Sequence, residues 1–220
     1  MNRDQHGTLS LTVVGIDVGG VRKGFHAVAL EDGTFVKKMT ATDPAIIVTW
    51  CLDRKATVVA VDAPCGWSQA GSSRLAEQEL KMLGEKMHCF STPMRERALH
   101  RDFYKWVFNG EELYRRLVAH YPLFDGQWSE GQMCIETFPH AVMCAMAGRV
   151  VSAKPKATVR REALRKRGYK VSSLPNVDFV DAALCAVAAY EFLNRNYQQY
   201  GNSGEGFIVV PASSVTSKGI

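Results

Sequence analysis

Five acidic residues stand where an apolar stretch ends or a helix begins. Asp17 follows LTVVGI, Asp62 follows ATVVAV, Glu136 follows MCI, and Asp178 and Asp181 open an alanine-rich segment. Carboxylates gathered at strand ends are costly to bury without a cation, so the recurrence points to a site for a hard divalent ion. Two such ions held roughly 3.5 to 4 Å apart support phosphodiester cleavage, and they need carboxylates converging from several elements. Asp17 and Asp62, at the ends of neighbouring strands about 4.8 Å apart, supply the first pair. Asp178 and Asp181, three apart at a helix start, share one face and complete the cluster. Each acid also has a structural alternative. Asp17 before Val18-Gly19-Gly20 and Asp62 before Ala63-Pro64 suit Asx turns, and Asp178 with Asp181 suits a helix cap and its reciprocal acid.

The elements that must position these acids follow from the hydrophobic pattern. Residues 11–16, 24–30 and 34–39 read as an antiparallel meander, with Glu31-Asp32-Gly33 as its second turn. A helix over 43–52 is capped by Asp43 with Pro44 at its first position. The β-branched run 56–61 is a strand buried on both faces. Its central neighbour is the first strand. About seventy residues then separate Asp62 from Glu136, more than a crossover needs, so a helical insertion is expected at about 67–130. It carries helices over 74–83, 95–108 and 111–120. It also holds nine aromatics between Phe90 and Trp128, which pack the insertion against the sheet or stack on bases. Beyond it come a fifth strand at 133–138 and helices at 140–147, 158–167 and 179–197. An edge strand at 206–210 precedes a loose tail, PASSVTSKGI. The fold class is therefore α/β, with a mixed five-stranded sheet flanked by helices in a single domain over residues 1–220.

Composition narrows the function classes. A hydrophobic content of 46% and a charged content of 22% are those of a globular protein. No apolar run is long enough to span a bilayer, and MNRDQHGTLS lacks the apolar core of a secretion signal, so a cytoplasmic location with no membrane partner is expected. The six cysteines form no CxxC pair and read as buried thiols. Between Arg149 and Lys170 lie nine positive residues and one negative; against a chain total of +5, the remainder is about three units negative. A basic strip beside acids suits an enzyme acting on a polyanion, or else a solvated helix face. His140 reads as a capped or solvated residue, and Cys65 and Ser68 lack a paired base for a nucleophilic role.

The strings GIDVGGVRKGFHAVAL, VAVDAPCGW, RLAEQELKMLG, FSTPMR, ETFPHA and DFVDAALCAVAA resemble domain-of-unknown-function family 429, whose members are expected to be ribonuclease H-like nucleases. The element order with acids at Asp17, Asp62, Asp178 and Asp181 also looks like the Holliday-junction-resolvase branch of that fold. The resemblance runs from about Gly15 to Pro211. It implies Asp17, Asp62, Glu136 and Asp181 as the catalytic, metal-facing acids, with Asp178 an auxiliary ligand or a cap. It further implies Mg2+ or Mn2+ as cofactor, and Arg74, Arg95 and Lys154 near the substrate phosphates. Glu136, on a fifth strand, alternatively anchors Arg95 or Lys154.

The first expectation is thus a two-metal nuclease acting on DNA or RNA. A second is a nucleotide-phosphate-binding ATPase or kinase-like protein of the actin and sugar-kinase clan, because Gly19 and Gly20 after Asp17 would let a backbone approach phosphate. That clan pairs two copies of the fold, so a dimer would be required. A third is a non-catalytic binding module that keeps the acids for stability. Oligomeric state stays open.

Overall fold

The computed structural model of the chain describes residues 11–213. The segment 1–10, weighed above for a secretion signal, and most of the expected tail, 214–220, lie outside the described residues.

The meander is β1 (Thr12–Val18), β2 (Phe25–Glu31) and β3 (Thr34–Ala41). Its second turn places Asp32 and Gly33 both at positive φ, 43° and 79°, the backbone that twists two strands into a tight hairpin. Helix α1 (Pro44–Asp53) starts as expected, with Asp43 Oδ1 accepting from Ala45 N at 2.8 Å. Strand β4 (Val58–Asp62) then enters parallel to β1, with Asp17 opposite Asp62. Between β4 and β5 (Met133–Glu136) lie α2 (Leu75–Met82), α3 (Arg95–Ala98), a 3-10 turn (Asp102–Tyr104) and α4 (Lys105–Leu117). The remaining elements are α5 (Pro139–Ala147), α6 (Lys156–Lys166), α7 (Val177–Leu193), β6 (Tyr197–Asn202) and β7 (Gly206–Pro211).

The sheet has seven strands in the order β3-β2-β1-β4-β5-β7-β6, which corrects the expected five. The surplus lies at the carboxyl end. The last helix was expected to run to residue 197 with no strand after it before 206, but α7 stops at Leu193 and the chain turns at Arg195, φ 58°. The polar YQQYGN that follows has no hydrophobic alternation to announce a strand; its pairing with β7 makes it one. β7 is in turn not an edge, since it lies between β5 and β6. In the insertion, α4 runs unbroken through Gly110, where two helices were expected to meet. A Cβ there would sit 2.6 Å from Ala63 Cβ, so the missing side chain is what lets the helix lie on the end of β4.

Strand alternation divides the core. Val14 and Ile16 of β1 and Val59 and Val61 of β4 face α1 and α4, packing with Ile47, Cys51, Leu113 and Leu117. The opposite positions, Val13 of β1 with Val58 and Ala60 of β4, pack beneath Cys185, Ala186 and Ala189 of α7. Gly15, Asp17 and Asp62 belong to this second set by register. Helices α5 and α6 lie beside α7. No helix among the described residues is long and apolar enough to cross a membrane.

Candidate metal centre

The approach of α7 to β1 begins with a missing side chain. A Cβ on Gly15 would lie 2.1 Å from both the Ala182 carbonyl oxygen and the Ala186 nitrogen, so α7 rests its backbone directly on β1. Two residues further along β1 the same face presents Asp17, and the first turns of α7 present Asp181 beside it. Asn176, not Asp178, caps the helix, its Oδ1 accepting from Phe179 N at 3.1 Å. Asp178 and Asp181 are thereby released from capping. The turn after Asp17 is likewise closed by backbone: Gly19 N donates to Gly24 O, and Lys23 N and Gly24 N donate to Gly20 O, each at 2.8 Å. Asn109 Nδ2 donates to Gly19 O at 2.9 Å, and a Cβ on Gly19 would strike the Lys23 side chain. Gly19 thus serves the packing of the turn, whereas a Cβ on Gly20 would meet nothing within 4 Å.

One ligand atom each from Asp17, Asp62 and Asp181 lie within 4.8 Å of one another, and so do those of Asp17, His26 and Asp178. Asp17 is common to both groups. The sheet register explains this, because Asp17 faces Asp62 across one edge of β1 and His26 across the other. Asp17 and Asp181 are buried, at 5% and 0% exposure, and Asp17 Oδ2 has no hydrogen-bond partner. Burial first, then the Asp181 carboxylate, push the Asp17 carboxyl up to about 7 against the opposing pull of Lys23. Asp62 is raised as well, by burial and then by Asp17 and Asp181. His26 is lowered, chiefly by burial, which keeps its imidazole neutral and able to donate a lone pair.

Three cations answer the four acids. Lys23 Nζ lies 2.7 Å from Asp178 Oδ1 and 3.5 Å from Asp17 Oδ2. Lys156 Nζ lies 2.7 Å from Asp181 Oδ2, and the buried Arg160 guanidinium pairs with Asp181 Oδ1. The oxygen-rich donor set, an Asp17 oxygen that receives no hydrogen bond and the mutual repulsion of Asp17, Asp62 and Asp181 fit a hard divalent cation.

Of the other expected site residues, Glu136 and Arg74 line the cleft that holds Asp17 and Asp62, and Arg95 and Lys154 do not. Glu136 is buried, and both of its oxygens are taken: Arg74 Nη1 and Nη2 donate at 2.8 and 2.5 Å, and Cys65 N donates at 2.7 Å. It belongs to neither group of converging ligand atoms, and its cationic partner is Arg74 rather than Arg95 or Lys154. Arg74 is 1% exposed and also holds Glu77 at 3.0 Å, so it forms part of the cleft floor. Arg95 is exposed, gripping Glu111 with two hydrogen bonds of 2.9 and 3.0 Å and lying over the Phe108 ring. Lys154 is exposed, with its backbone N donating to Ser152 Oγ. Neither lines the cleft beside the acids. His140 is buried on the Val151 carbonyl, and Ser68 Oγ donates to backbone carbonyls of its own loop.

The sequence reading passed over Lys23 and His26, and took Lys156 and Arg160 only as members of the basic strip. Lys156 and Arg160 had a signal, since their spacing of four puts both on one face of α6. His26 had none, because its nearness to Asp17 is a matter of strand register.

A cleft of about 400 Å³ opens over this site. It is lined by Asp17, Asp62, Lys23, Lys156 and Arg160, and by Phe90, Phe103 and Trp106 of the insertion. A mixed α/β sheet with carboxylates converging at its centre defines the class: an α/β protein with a candidate carboxylate metal centre. Residues 15–203 match the family described as protein of unknown function (DUF429), and the chain belongs to that family. No curated protein matches it. The Thermus thermophilus RuvC structure is similar to this chain at 14% identity, over 84% of this chain and 97% of that one, with a TM-score of 0.45.

Proposed function

We propose that the chain is a divalent-metal-dependent nuclease with Mg2+ or Mn2+ as its cofactor, built on a ribonuclease H-like core. The convergence of Asp17, Asp62 and Asp181 within 4.8 Å, from two strands and a helix far apart in sequence, carries this reading. Asp17 stands between the two acid groups and would touch both ions; Asp62 and Asp181 would complete one position, His26 and Asp178 the other. The bound metal supplies an activated water and neutralises the attacked phosphate.

The chain's own residues do the rest. Arg160 is buried and fixes the orientation of Asp181. Lys23 and Lys156 are about half exposed, so each can leave its carboxylate for a phosphate oxygen when an ion takes the negative charge. Glu136 anchors Arg74 under the cleft and stays out of the chemistry.

The test is cleavage of labelled single-stranded and duplex DNA and RNA by the Mn2+-loaded protein. Asp62→Asn should lower cleavage by roughly 100-fold or more, since a direct ligand matters at least as much as its supporting shell. Equal cleavage by the variant, or none of any substrate by the wild type, would overturn the reading.

A further inference from the structure

The insertion brings an unexplained apolar surface to the acid cleft. Among its nine aromatics, Tyr114, Tyr121 and Phe124 are buried, Phe108 packs against Trp67, and Trp128 lies under Arg195. Phe90 and Phe103 are different: they are 53% and 54% exposed, and both line the cleft that holds Asp17 and Asp62. Trp106, half-buried, stands with them. Ring centroids of Phe90 and Phe103 are 5.5 Å apart at 58°, and those of Phe90 and Trp106 are 5.7 Å apart at 56°. Rings at such distances touch one another and hold each other in place, while the exposure of Phe90 and Phe103 leaves about half of their surface open where they line the cleft, within reach of a planar group.

Resting on the nuclease reading, we propose that Phe90, Phe103 and Trp106 are a stacking shelf for an unpaired base of the strand whose phosphate lies at the acid cluster. The cleft has two chemistries within one volume, aromatic side chains from the insertion and, beside the sheet, carboxylates with two half-exposed lysines. A nucleotide has the same two parts, a flat ring and a phosphate. A base inside a duplex has both faces covered and offers none to the shelf unless it is flipped out. The shelf therefore selects single-stranded nucleic acid. Since every base has a π face, it does so with little regard to sequence.

The test uses the full chain with Ca2+ in place of Mn2+, a fluorescent short oligonucleotide carrying one 2-aminopurine, and the duplex of the same length. The wild type should bind the single strand at least roughly 10-fold tighter than the duplex, with the 2-aminopurine quenched by stacking. Phe90→Leu with Phe103→Leu keeps the apolar bulk and removes two π faces. It should lose about 10- to 100-fold in single-strand affinity and the quench, while melting temperature and its Mn2+-induced rise stay as in wild type. Phe90→Tyr, which keeps the ring, should bind as wild type. Unchanged affinity in the double leucine variant, a preference for duplex, or no binding of either strand would overturn the shelf. A strand bound through the rings yet left uncut with Mn2+ supports the shelf and overturns the nuclease reading instead.

Discussion

Asp17 is the residue on which the site's electrostatics turn. Its carboxyl is held up to about 7 by burial and by Asp181, so the folded chain binds that proton more tightly than the unfolded chain does. The stability this contributes is fully present below the ordinary carboxyl range. It is lost as pH rises through the interval up to about 7 and stays lost above it. Asp17→Asn removes the loss. The metal-free variant should melt several degrees above wild type at about pH 8, and the gap should narrow toward about pH 5, where the wild-type carboxyl is already protonated. In the same melts, addition of Mn2+ should raise the wild type and leave the variant unmoved. An acid kept only for stability would give the opposite sign at about pH 8. The site's acids were legible as residues, because Asp17 and Asp62 end apolar runs that can only be strands. Their neighbours Lys23 and the neutral His26 were not, because they meet the acids across a hairpin whose register the sequence does not spell out.

At the scale of elements, the contact between β1 and α7 decides whether the acids meet at all. Gly15 leaves no room for a side chain: a Cβ would sit 2.1 Å from backbone atoms of α7, which cannot step aside as a flexible side chain would. Gly15→Ala should therefore push α7 off the sheet and carry Asp181 with it. The expected result is a loss of about 1–3 kcal/mol of stability and a smaller Mn2+-induced rise in melting temperature than in wild type, both measured by thermal melting. A loss of stability with a full metal response would mean that α7 had moved without Asp181. The central elements were legible because they are strongly patterned: β4 is a continuous β-branched run and α7 is rich in alanine. β6 and the break between α3 and α4 were not. YQQYGN becomes a strand only because β7 pairs with it, and α4 passes through Gly110 only because Ala63 lies beneath.

For the molecule as a whole, the basic strip from Arg149 to Lys170 is less available than its composition suggests. Arg160 is buried on Asp181, and Arg161 donates to the carbonyls of Val171 and Leu174. Arg165 pairs with Glu162, and Arg167 donates to the Met146 carbonyl. Lys156 is engaged with Asp181 until an ion relieves it. Charge counted along the sequence thus overstates the cations free to meet phosphate, because five of the nine are engaged with carboxylates or backbone carbonyls of the protein itself. Exposed Arg149, Lys154, Lys166 and Lys170 remain for long-range attraction. If all nine positive residues of the strip met phosphates, single-strand binding would weaken with a log–log salt slope of about −6; these four with Lys156, freed by the bound ion, give about −3.5. The expected slope is the shallower one, measured by fluorescence anisotropy of a labelled single strand over a salt titration with Ca2+ present. A slope near the steeper value would mean that the internal pairs of α6 open on binding, and α6 would then be a moving part of the site rather than its fixed wall.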